Sequence, residues 1–138
     1  MRLTLEKVLI LKNIPLFADL PEVALSDIIS SSEETAAMIG TDIVKEGEAW
    51  NDLYVILQGQ VRVHKNGQTV REYNALTTFG EVAALDAETA NETVTALEDT
   101  TLFKIPGPAL YRLMNEHKSL ERNMFKALCQ RLRSENRQ

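Results

Sequence analysis

The feature that most constrains this chain is a run of short extended stretches punctuated by glycine. Ala37-Met38-Ile39, Asp42–Lys45, Leu53–Leu57, Gln60–His64 and Thr69–Tyr73 follow one another, with Gly40, Gly47, Gly59 and Gly67 falling between them. β-Branched and aromatic side chains favour extended backbone, and glycine permits the reversals. Asn66-Gly67 is a strong two-residue hairpin signal. Val61, Val63 and Lys65 alternate with Arg62 and His64, so one face of that strand looks inward and the other meets water. Further on, 92–97 and 101–105 read as two more strands joined by Glu98-Asp99-Thr100. Many short strands must hide their edges, which argues for a sandwich or barrel.

Helical patterns flank this region. Thr4 to Leu11 carries Leu5, Val8, Leu9 and Leu11 and stops ahead of Pro15. Pro21-Glu22 makes a good first turn for a helix that continues through Val23, Leu25, Ile28 and Ile29 and ends at Ser30-Ser31-Ser32. Pro106-Gly107-Pro108 closes the strands. From Ala109 onward Leu110, Leu113, Met114, Leu120, Met124, Phe125, Leu128 and Leu132 recur at helical spacing, with a break expected at His117-Lys118-Ser119. The stripe Leu120, Met124, Leu128 and Leu132 suits either packing on the domain's own body or a homodimer through this C-terminal helix.

With 138 residues, 44% of them hydrophobic, the chain is the size of one domain with its own core. Its single cysteine, Cys129, cannot close an internal disulfide, so an intracellular, cytoplasmic setting is expected, with the thiol acting as a small apolar residue inside a helix. No run approaches the ~20 apolar residues that cross a bilayer, and no secretion signal opens the chain. A formal charge of −5 works against nucleic acid as a partner.

Signs of catalysis are missing. There is no Gly-x-Ser-x-Gly, no Walker-type glycine-lysine pair and no placed Cys–His pair. The two histidines, His64 and His117, stand on different elements. A metal-dependent cupin enzyme, which the same β architecture also houses, needs clustered histidines. It is therefore a remote alternative, and no metal site is expected. Arg62, Lys65 and Arg71 read as solvated strand faces, and Trp50 and Tyr54 as packing residues.

The most telling stretch is Phe79-Gly80-Glu81-Val82-Ala83-Ala84-Leu85-Asp86, followed by Thr93-Val94-Thr95-Ala96-Leu97. It resembles the phosphate-binding cassette of the cyclic-nucleotide-binding domain family, found in catabolite-activator-type regulators, kinase regulatory subunits and gated channels. Family members read Phe-Gly-Glu-(Leu/Ile)-Ala-Leu, then a short loop, then Pro-Arg-(Ser/Ala)-Ala-Thr-Val. Here the arginine's place, counted back from Thr93-Val94, is held by Ala90, followed by Asn91 and Glu92, with Thr89 for the proline.

The resemblance, which runs from about Leu9 to Leu132, implies an eight-stranded jelly roll with flanking helices. It divides the chain into an N-terminal helical segment over residues 4–34, a β-roll over 35–105 with its cassette at 79–94, and C-terminal helices over 108–134. It also implies a non-catalytic regulatory domain with cyclic AMP or cyclic GMP as the ligand to test. The candidate binding residues are Gly80, Glu81, Val82, Ala83, Ala90, Asn91, Glu92 and Thr93. Losing the guanidinium of a charge-assisted pair costs about 2–5 kcal/mol, so weak binding or none is expected. Glu92 would repel a phosphate if it faced the pocket. A working sensor of cyclic nucleotide, or of another small ligand, with a relocated phosphate contact is the alternative. Since no DNA-binding helix-turn-helix follows Leu132, the domain is expected to be a piece of a longer protein whose other domains are its partners.

Overall fold

The computed structural model describes residues 4–136. In chain order these form α1 (Thr4–Leu11), α2 (Glu22–Ser30), β1 (Glu33–Ala37), β2 (Asp42–Val44), β3 (Ala49–Trp50), β4 (Asp52–Gln58), β5 (Gln60–Lys65), β6 (Gln68–Asn74) and β7 (Thr77–Phe79). Then come α3 (Glu81–Leu85), β8 (Glu88–Thr89), β9 (Thr93–Ala96), β10 (Thr100–Pro106), α4 (Gly107–Glu116) and α5 (Lys118–Asn136). Eight strands make two four-stranded sheets, in the orders β1-β10-β4-β7 and β2-β9-β5-β6, while β3 and β8 pair with each other. The fold is mainly β with helices at both ends, and its double sheet is the jelly roll expected.

Strand β4 decides the layering because it is buried on both faces. With side chains alternating in direction, Leu53, Val55 and Leu57 join Leu11, Phe17, Leu25, Phe103, Leu110 and Leu120 in a core between sheet and helices. Tyr54 and Ile56 join Val61, Val63, Phe79, Val94 and Leu102 in a second core between the sheets. Each large apolar side chain so enclosed contributes about 1.5–3 kcal/mol.

Several boundaries differ from the sequence reading. The first strand is Glu33–Ala37, running antiparallel to β10 from Glu33↔Lys104 to Ala37↔Thr100, whereas Met38 and Ile39 are 70% and 66% exposed. Having only β10 beside it, β1 is an edge strand, where charged residues suit the position, and Glu34 pairs with Lys7 at 3.1 Å. Helix α4 opens at Gly107, two residues early, because proline is well tolerated in a first turn. The helical stripe divides: Leu120 and Met124 are buried, while Phe125 and Leu132 are exposed. Cys129 is exposed on α5 rather than packed as an apolar residue.

The break at His117 is tied back to α2. Its Nε2 lies 2.8 Å from Asp27 Oδ2, Arg112 Nη1 lies 3.5 Å from the same oxygen and 2.8 Å from Glu116 Oε2, and Arg112 Nη2 donates to Ser31 Oγ. The His117 hydrogen bond, chiefly, and that from Arg112 hold the Asp27 carboxyl below its ordinary 3.8, against the opposing effect of burial. A carboxyl lowered on folding adds stability that is present above its unfolded pKa and lost as pH falls through the folded value. Asp27→Asn is therefore expected to flatten the loss of stability below about pH 4. Unfolding curves for both proteins from pH 7 to pH 2 check this, and identical acid limbs would refute it.

Candidate functional site

Gly80 sets the geometry of the site. It caps α3 in the left-handed region, with φ +91° and ψ 16°, and its carbonyl accepts the Ala84 N–H at 2.9 Å. A Cβ here would sit 2.5 Å from the Asp52 carbonyl and 2.8 Å from Trp50 Cζ2, so only glycine lets β7 turn into α3 this close to Trp50. Trp50 is held in turn by Nε1, which donates to Asp52 O at 2.9 Å. The Asn51 amide, oriented to donate, reaches Ala83 O at 2.9 Å and Ala84 O at 3.2 Å and so fixes the far end of the turn.

Beneath α3 lies a cavity of about 190 Å³. Trp50, Phe79, Tyr73, Val63 and Val94 give it apolar walls, Gly80, Val82 and Ala83 one side, and Asn91, Glu92, Glu88, Arg71 and Arg131 a polar mouth. Phe79 is sandwiched between Tyr54, with centroids 5.1 Å apart, and Tyr73, 5.8 Å apart. Burial of Tyr54 pushes its phenol up to about 12, so it remains a neutral core ring. Arg71, Tyr73 and Arg131 also line a wider cleft of about 670 Å³ between α5 and strands β6 and β7. Glu81 faces this cleft, its Oε2 accepting from Thr78 Oγ1 at 2.7 Å.

The eight candidate residues are thus distributed. Gly80, Val82, Ala83, Asn91 and Glu92 line the cavity, and Glu81 lines the cleft beside it. Ala90 is 2% exposed and packs in the core between the sheets. Its N–H donates to Glu48 O at 2.8 Å, and its carbonyl accepts from Gly47 N at 2.9 Å. Thr93 Oγ1 accepts the Glu46 N–H at 3.0 Å.

Arg71 corrects the sequence reading. The sequence places it on a solvated face, yet it lines the cavity and donates through Nη2 to Glu92 Oε1 at 2.8 Å and through Nε to Tyr73 Oη at 3.0 Å. The cause is a bulge. The Asn66-Gly67 hairpin pairs Lys65 with Gln68 and His64 with Thr69, but the register slips before Val63, which faces Arg71 instead of Val70. One extra residue flips every side chain beyond it. Val63 is also the partner of buried Val94 on β9, so Arg71 and Tyr73 face inward and Val70 is 49% exposed. Trp50 and Tyr54 both pack in the core between the sheets, as expected, and Trp50 lines the cavity as well. Lys65 reaches Asn91 Oδ1 at 2.8 Å, and Arg62 reaches Thr69 Oγ1 at 3.2 Å.

Residues 37–117 match the family model described as the cyclic nucleotide-binding domain. The chain belongs to this family. Among curated relatives, the domain is 27% identical over 120 residues to the cAMP-dependent protein kinase regulatory subunit of Blastocladiella emersonii, a match covering 83% of this chain and 30% of that protein. Among solved structures it resembles the catabolite activator protein of Thermus thermophilus with a TM-score of 0.80 and 26% identity, over 88% of this chain and 60% of that one. The regulatory domain of Toxoplasma gondii PKA, solved with cAMP, shares the fold with a TM-score of 0.70 and 24% identity, over 80% of this chain and 44% of that one. The domain spans less than a third of the length of the first curated relatives it matches. Among the described residues, no helix is long and apolar enough to cross a membrane.

Proposed function

We propose that this domain is a non-catalytic regulatory module whose pocket binds cyclic nucleotides weakly or not at all, and that it acts through its helices on other domains of a larger protein. The observation that carries this reading is the state of the cationic charge at the cavity. Ala90 stands where the family's arginine is expected and lies in the core, and Arg71 is committed to Glu92. A cyclic phosphodiester entering here would meet a carboxylate at close range. Such like-charge contact costs several kcal/mol.

The inward position of Arg71 favours a second reading, a working sensor with a relocated phosphate contact. Thermal melting with millimolar cyclic AMP or cyclic GMP separates the two. A ligand at a hundredfold excess over its Kd adds about 2.7 kcal/mol, which moves the midpoint of a domain this size by several degrees. The expected shift is less than about 1 °C. A rise of several degrees with either nucleotide would overturn the first reading and support the second.

A further inference from the structure

We infer that Arg71 is an anion-binding residue of the cavity and that Glu92 is its built-in occupant, a tethered carboxylate standing where a small external oxyanion would bind. This rests on the reading of a pocket that does not hold cyclic nucleotides, and it gives that behaviour a specific cause. The bulge on β6 turns Arg71 inward, and Tyr73 Oη, accepting from Nε at 3.0 Å, orients the guanidinium. Nη2 then points at Glu92 Oε1, 2.8 Å away. That is one charge-assisted hydrogen bond from guanidinium to carboxylate, an interaction a phosphate oxygen could accept equally well.

Glu92 sits in a bend between β8 and β9, so its side chain can leave without unzipping a strand. The pair is reachable as well. Side-chain exposures of 38% for Arg71 and 24% for Glu92 leave room for solvent and a small ion, and Arg131 stands at the same mouth. A carboxylate held on the same chain competes at an effective concentration on the order of millimolar or above. It also repels any incoming anion. The cavity therefore has a cation suited to an oxyanion headgroup, and its own chain fills the place.

The test titrates the intact chain, Glu92→Gln and the double variant Arg71→Met/Glu92→Gln with sodium phosphate and with sodium acetate. Ionic strength is held constant with chloride, and binding is read from amide chemical shifts around the cavity. Glu92→Gln is expected to bind at least about tenfold more tightly than the unmodified chain, and the double variant to lose the gain. A response to phosphate alone assigns a phosphate headgroup, and a response to both assigns oxyanions in general; either supports the inference. It fails if Glu92→Gln gains nothing, or if the gain survives loss of Arg71. Glu92→Ala repeats the comparison should the glutamine variant fold poorly. The two proposals fail separately, because cyclic-nucleotide binding by the unmodified chain would defeat the proposed function whatever the Glu92 variants do.

Discussion

Truncating Phe103 to alanine is expected to lower the free energy of unfolding by about 3–5 kcal/mol. Its ring is 1% exposed in the core between sheet and helices. On β10 it pairs with Val55 of β4 on one side and Glu34 of β1 on the other, and Lys7 Nζ of α1 lies 5.9 Å from its centroid. Alanine would leave a void that neighbours on two sheet strands cannot fill without breaking register, so little relaxation is available. Domains are stable by about 5–15 kcal/mol, which makes the loss a large share of the whole. Urea unfolding followed by circular dichroism measures it, and a cost under about 1 kcal/mol would show that the helical layer contributes little here.

Gly80→Ala is expected to cost about 2–4 kcal/mol and to distort the cavity with it. Two effects combine. The left-handed backbone at φ +91° is unfavourable for any residue with a Cβ. The new methyl would also press on the Asp52 carbonyl and the Trp50 ring, and Trp50 is anchored to that same carbonyl. Gly40 separates the contributions, since its φ is +86° and a Cβ added there would meet nothing within 4 Å. Gly40→Ala is therefore expected to cost only about 1–2 kcal/mol. Comparing denaturation midpoints and tryptophan fluorescence of the two variants checks the argument. Equal costs with unchanged Trp50 emission would mean that crowding at Gly80 has no effect.

The parts of this fold legible in the sequence are those governed by neighbours in the chain. The turn from Phe79 through Gly80 into Glu81 and Ala83 announces itself because a positive φ and a helix start leave local marks. The alternation of Val61 and Val63 marks an inward face directly. Arg71 is not legible, because its direction depends on where the β5–β6 ladder slips, and the simple hairpin register predicts the opposite face. Tyr73 gives a weak hint, since an aromatic residue two positions away shares the face of Arg71. Arg131 has no local mark at all, as it reaches the mouth of the cavity only through the packing of α5. The pairing of Ala49 with Thr89 and Trp50 with Glu88 spans two residues on each side, too short for any pattern to register.

Strand β4 is a partition one polypeptide thick. Tyr54 leans on the ring stack that includes Phe79, a wall of the cavity, while its sequence neighbours Leu53 and Val55 bear on the helical layer. A single backbone divides the two compartments along this stretch, so the ring stack and the helical layer bear on opposite faces of the same strand. The cavity under Gly80 meets that partition at second hand, through Phe79, whose ring lines the cavity and stacks on Tyr54.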